Sequence, residues 1–215
     1  MSRVFNDPGR IPKEKQKRKI NQSTWRKDLS DAFKESLNIT KSLRNTGNSS
    51  EEIFRVQISF LMSLYDYTIH EVIKYKAVDM YSGIEVEAEK YKYFRVSMKT
   101  LQKAIKFPDE PLKWLTSELE FQNDKISYIN PRRTLEALEL ITDVNIFEQY
   151  CQEEGFDYDN FFKELENLTF RRNEIVHKMD IKNKLTLERN EITMNEVDNY
   201  ISIIEKLVLY IIAKI

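Results

Sequence analysis

The chain has 215 residues, enough for one sizeable hydrophobic core or two small ones. Charged residues make up 32% of it but nearly cancel; a formal net charge of −1 excludes a bulk polycation and confines any nucleic-acid contact to a local patch. The single cysteine, Cys151, excludes an internal disulfide and a thiolate zinc cage. The longest apolar run, residues 207–213, falls well short of a membrane span, so a soluble cytoplasmic protein without a membrane partner is expected.

In chain order, residues 1–22 are polar and basic. Seven Lys or Arg stand against Asp7 and Glu14 before residue 21, interrupted by Pro8, Gly9 and Pro12. They read as a flexible basic arm, either a solvated tail or a contact for RNA phosphates. The remainder, residues 23–215, is expected to be one all-α domain: Gly and Pro are scarce, and Leu, Ile, Lys and Glu dominate. Trp25, Leu29, Phe33, Leu37 and Leu43 keep roughly helical spacing up to "RNTGNSS". Ser50, followed by Glu51 and Glu52, opens a second helix running to about residue 75. It is apolar nearly all round, including Val56 and Phe60, as expected of a helix in the middle of a bundle. Gly83 breaks the pattern. A helix is expected at residues 93–105, cut by Pro108 and Pro111, then a short one around "LKWLTSELEF". Asn130 caps another, with Pro131 at its first position. "EEGFDYDN" reads as a loop whose Asp157 or Asp159 caps the next helix. Residues 181–193 are polar and irregular, and a final amphipathic helix spans residues 195–214. No strand run alternates convincingly.

The unusual stretch is "TFRRNEIVHKMD", residues 169–180. On a helix, Leu165, Leu168, Ile175, Val176 and Met179 fall in one sector, and Arg172 falls among them. Asn173 and His177, four apart, share a face beside that stripe, while Glu174 points away. A buried guanidinium is costly unless an anion or several acceptors meet it. One account is an internal ion pair with a carboxylate elsewhere in the bundle. The imidazole and amide beside Arg172 favour the other account, a site for a phosphate.

"RRNEIVH" resembles the signature of HEPN domains: an Arg, four to six intervening residues and a His, often with a polar residue directly after the Arg. Arg172, Asn173 and His177 occupy those places with four residues between Arg and His. "FRVQISFLMSLYDYTIHEVIKY", "INPRRTLEALELI", "NLTFRRNEIVHKMDI" and "NEVDNYISIIEKLVLYI" resemble segments of the RiboL-PSP-HEPN branch, and together they cover most of the chain from residue 25. The resemblance implies a helical bundle that dimerises and cuts RNA without a metal. Many such proteins are toxins or anti-phage effectors, sometimes held by an antitoxin or regulatory protein; others have lost the motif and serve as binding modules. In another HEPN pattern a Tyr two residues after the His is modified by a partner; here Met179 stands there.

The chemistry also follows from the residue types. Attack of a 2′-hydroxyl on the adjacent phosphate needs a proton acceptor, a proton donor and stabilisation of a doubly charged phosphorane. Histidine titrates near neutral pH. Arginine presents a fixed fork of donors to phosphate oxygens. Asparagine can hold the imidazole or bond the phosphate. No cofactor or metal is expected. Arg171 lies off the stripe and reads equally as a flanking phosphate ligand or a solvated charge. The second histidine, His70, lies four residues after Asp66. The pair reads first as a buried structural couple, next as a support or contributor to the site, and least as a metal site, because "HEVIK" lacks the second His of a zinc-protease helix. Three functions compete: a metal-independent endoribonuclease, a non-catalytic RNA- or nucleotide-binding adaptor, and a structural bundle with Arg172 in an internal ion pair.

Overall fold

The computed structural model describes residues 21–46, 50–123 and 126–215, which form an all-α bundle with one small β-ribbon. The basic arm falls almost wholly outside them. The α-helices are α1 Trp25–Ser42, α2 Glu51–Tyr81, α3 Met98–Lys106, α4 Pro111–Asn123, α5 Pro131–Leu138, α6 Ile146–Glu154, α7 Tyr158–Lys178 and α8 Met194–Lys214. No described helix is long and apolar enough to cross a membrane.

α2 is the axis, packing against α1, α4, α5, α7 and α8. α1 buries the expected row Trp25, Leu29, Phe33 and Leu37. It runs antiparallel to α2: Trp25 Nε1 donates to Asp79 Oδ2 at 2.7 Å at one end, and Gln57 Nε2 donates to Thr40 O at 2.8 Å at the other. α8 closes the bundle with Val197, Ile201, Ile204, Val208 and Ile211 buried.

Four local expectations are corrected. α2 is central but not buried all round: Val56 and Phe60 are exposed, while the polar Arg55 and Gln57 are buried because carboxylates and carbonyls meet them. Residues 181–193 are not wholly irregular; β1 Ile181–Asn183 pairs antiparallel with β2 Glu188–Arg189. The helix expected from residue 93 begins at Met98, where Ser97 caps it by accepting from Thr100 N. α6 is an additional helix not among those expected; Asn145 caps it and left-handed Gly155 ends it at a φ of 75°.

α7 carries the Arg–His motif. Asp157, not Asp159, caps it, accepting from Asn160 N at 2.9 Å. Phe161, Leu165, Leu168 and Thr169 are its buried face. The helix ends in two successive left-handed residues, Met179 (φ 54°) and Asp180 (φ 59°), a conformation that costs energy for residues with a Cβ. Side-chain contacts from three elements hold that turn.

Candidate functional site

Asp180 is fully buried and anchors the end of α7. Its Oδ2 accepts from Arg55 Nε of α2 at 2.7 Å, and its Oδ1 from Arg171 and from Asn190 Nδ2, the latter at 3.0 Å. Arg171 also donates to Glu191 O at 2.9 Å and lies 3.4 Å from Glu196. Burial alone would lower the Arg55 pKa; its bonds with Asp180 and Glu51 outweigh that and raise it. Arg171 is therefore not a solvated charge. Its donors point inward to this cluster, a structural role that leaves the phosphate-ligand expectation without a free fork. No local pattern in the sequence marked Asp180 or Arg55, because their pairing is purely tertiary.

Arg172 is half-buried and follows Leu165 and Leu168 on the expected stripe, but beyond it the stripe opens, with Val176 and Met179 exposed, while Glu174, expected to face water, is largely covered. Arg172 Nη1 donates to Asn173 Oδ1 at 3.1 Å, and its Nε is buried without a hydrogen-bond partner. Among the described residues no carboxylate pairs with it, so the internal ion pair is not found. A buried donor left unsatisfied costs about 1–3 kcal/mol. One turn further, on the same stripe, Ile175 and Met179 join Val56, Ser59, Phe60 and Ser63 of α2 around an open groove of about 430 Å³. Phe60 is 53% and Met179 62% exposed, which makes the rim an uncovered apolar surface.

His177 is exposed and bonds to no described side chain. It lies about 140° around the helix from Arg172 at 100° per residue, and no contact joins the two in one chain. Asn173, which shares its face, is bonded to Arg172 instead. A single chain thus places a guanidinium on one face of α7 and an imidazole on another without assembling them.

Asp66 and His70 stand apart from the motif. Asp66 Oδ1 accepts from Tyr128 N at 2.5 Å and Ser127 Oγ at 3.3 Å, while His70 Nε2 is 3.8 Å from it, beyond hydrogen-bond range. His70 instead packs on the Tyr128 ring, with centroids 4.4 Å apart. Both side chains are 26% exposed, so the expected buried pair is a half-buried one. The contact that matters is from Asp66 to the segment entering α5. Burial and the nearby Asp66 charge push the Tyr128 hydroxyl up to about 12. Among the described residues no three His, Cys, Asp or Glu gather as metal ligands would.

No protein-family model, curated protein or solved structure matches this chain.

Proposed function

We propose that this protein is a metal-independent endoribonuclease whose working unit is a homodimer, with Arg172 and His177 of both chains lining one shared cleft. The observation that carries this reading is the Arg172 guanidinium, whose Nε is buried without a partner on the stripe that continues through Ile175 and Met179 into an uncovered groove, lined also by Glu52, Arg55 and Arg189. A protein tolerates such a guanidinium where it gains from binding an anion, which the outer nitrogens of the fork can meet.

The chemistry divides naturally between two chains. In-line attack by the 2′-hydroxyl needs a base at that hydroxyl and an acid at the departing 5′-oxygen. One chain offers one motif imidazole; two motifs about a two-fold axis offer two. The Arg172 pair stabilises the charge that builds on the phosphorane oxygens. Asn173 orients the guanidinium through its bond to Nη1. A role as a toxin or anti-phage effector, and an antitoxin or regulator as partner, rest on the motif's resemblance alone.

A second reading, a non-catalytic RNA- or nucleotide-binding adaptor, is favoured by one feature: His177 has no orienting partner in the single chain. Incubating the purified protein with RNA in chelator separates the two. The nuclease reading expects cleavage that leaves 2′,3′-cyclic phosphate or 3′-phosphate ends and is absent from His177→Ala. RNA binding without cleavage would establish the adaptor.

A further inference from the structure

At the other end of α2 from the groove, α3 lies along α4 with one side covered and the rest open. Its inner side is pinned. Thr100 bonds to the buried Glu118, Ser97 Oγ donates to Glu118 Oε2 at 2.9 Å, and Trp114 Nε1 donates to Phe107 O at 3.2 Å. Next to that side, Met98, Leu101 and Ile105 form a row at i, i+3 and i+7, with 70%, 40% and 73% of their surfaces exposed. Beyond the row stand Lys99, Lys106 and Lys103. Among the described residues Lys99, Lys103 and Arg95 have no ion-pair partner. Residues 90–107 contain six Lys or Arg and no Asp or Glu, in a chain whose net charge is −1; Lys90 and Lys92 are paired with Glu139 and Glu89, which leaves the four on and next to α3. Aromatic rings stand at both ends of the row: Tyr93 is 78% exposed, and Phe107 has Lys106 Nζ and Lys113 Nζ within 5.5 and 5.8 Å of its centroid.

We propose that α3 and its flanks form a peripheral docking surface for an anionic lipid bilayer. Apolar row, adjacent cations and terminal aromatic rings are the three features an interfacial helix uses: the row enters the acyl boundary, the ammonium groups meet anionic headgroups, and the rings sit between. A fluid surface covers such an exposed row without a matching groove. RNA would engage the lysines but leave Met98, Leu101 and Ile105 in water. The absence of a spanning helix among the described residues bears on crossing a bilayer, not on lying against one. This surface is separate from the α7 site and does not rest on the nuclease reading.

Co-sedimentation of the full chain with vesicles tests it. Wild type is expected to bind phosphatidylcholine vesicles containing about one-third phosphatidylserine, to ignore pure phosphatidylcholine, and to lose binding as salt rises. Lys99→Glu with Lys103→Glu, and separately Met98→Ser with Ile105→Ser, should each weaken binding about tenfold or more. All four residues are exposed, so both variants should keep the wild-type melting temperature. Wild type that stays in solution with the anionic vesicles overturns the assignment. So do variants that sediment like wild type, which would move the attraction to the basic residues before residue 21. Loss of affinity for a labelled single-stranded RNA by the lysine variant, with no vesicle binding by wild type, would make the ridge a nucleic-acid contact instead.

Discussion

Asp180 Oδ2 lies 2.7 Å from Arg55 Nε, across 125 residues of chain, and the two side chains are 0% and 5% exposed. The carboxylate also takes Arg171, so a single negative charge holds two guanidiniums at the point where α7 ends. Removing one partner from a buried ion cluster strands the others. Asp180→Ala should cost about 3–5 kcal/mol in urea denaturation. A loss below about 1 kcal/mol would mean that Glu51 and Glu52 alone satisfy Arg55.

Arg172→Met should behave in the opposite way. It removes a buried Nε that has no partner and keeps a chain of similar length on the apolar stripe. Its melting temperature should equal or exceed that of wild type, while cleavage should fall about 10² to 10³-fold or more, as for loss of one preorganised donor to a transition-state anion. His177→Ala, at an exposed position, should likewise keep its stability and lose cleavage. A nuclease assay beside a thermal melt reads both. Unfolding of either variant would return Arg172 or His177 to a structural role.

These contrasts mark what the sequence made legible. The apolar row of α1 and the place of Arg172 in line with the buried Leu165 and Leu168 follow from helical periodicity, which needs only local spacing; that the stripe opens at Val176 and Met179 does not. Arg55, by contrast, sits in α2 between apolar residues, and nothing local says that it turns inward to Asp180 while Val56 and Phe60 turn out. Both facts depend on where α7 ends, a tertiary relation. Arg171 departs from expectation for the same reason: off the stripe on its own helix, it still meets the buried Asp180 carboxylate in the turn that ends α7. α6 buries Ile146, Phe147, Tyr150 and Cys151, but its nine residues are too few to set up a sustained helical period in the sequence.

Asp66 should matter more to stability than His70. Asp66 takes a backbone N–H from Tyr128 at 2.5 Å, whereas His70 stands 3.8 Å from it and is partly exposed. Asp66→Ala is expected to cost about 1–3 kcal/mol through the stranded N–H, and His70→Gln less than about 1 kcal/mol. Equal losses in chemical denaturation would show that the imidazole, not the backbone contact, fixes this segment. A His70→Gln protein that melts normally but no longer cleaves would move His70 into the active site.

The α3–α4 pair should loosen in acid. Burial alone would raise the Glu118 pKa, but bonds from Thr100, Gln122 and Ser97 outweigh it and hold the carboxyl below its ordinary value. A carboxylate depressed in the folded state stabilises fully above its unfolded pKa of about 4.3 and loses that contribution as pH falls through the lower folded value. Amide exchange in α3 should therefore quicken below about pH 4, and Glu118→Gln should show fast exchange already at neutral pH. A pH-independent exchange rate in α3, after correction for intrinsic chemistry, would contradict this.

The shared cleft makes the sharpest demand. Arg172 and His177 diverge by about 140° around α7, so a single chain offers the phosphate a guanidinium from one face and an imidazole from another. In the proposed dimer, two copies paired across the surface that includes the exposed Val56, Phe60 and Met179 cover that apolar rim and bring each motif residue to the cleft twice. Phe60→Glu, at a 53% exposed position, should leave the fold intact, shift the protein to monomer in sedimentation equilibrium, and abolish cleavage. Complementation then separates shared chemistry from mere pairing. Homogeneous Arg172→Ala and His177→Ala proteins should both be inactive. Mixed and allowed to exchange subunits, they form heterodimers with one intact Arg172 and one intact His177 in the same cleft, and part of the cleavage should return. Each chain acting alone would give no recovery at any mixing ratio. A Phe60→Glu monomer that cleaves RNA at the wild-type rate would remove the need for a second copy, and with it the assignment of the two histidines as paired acid and base.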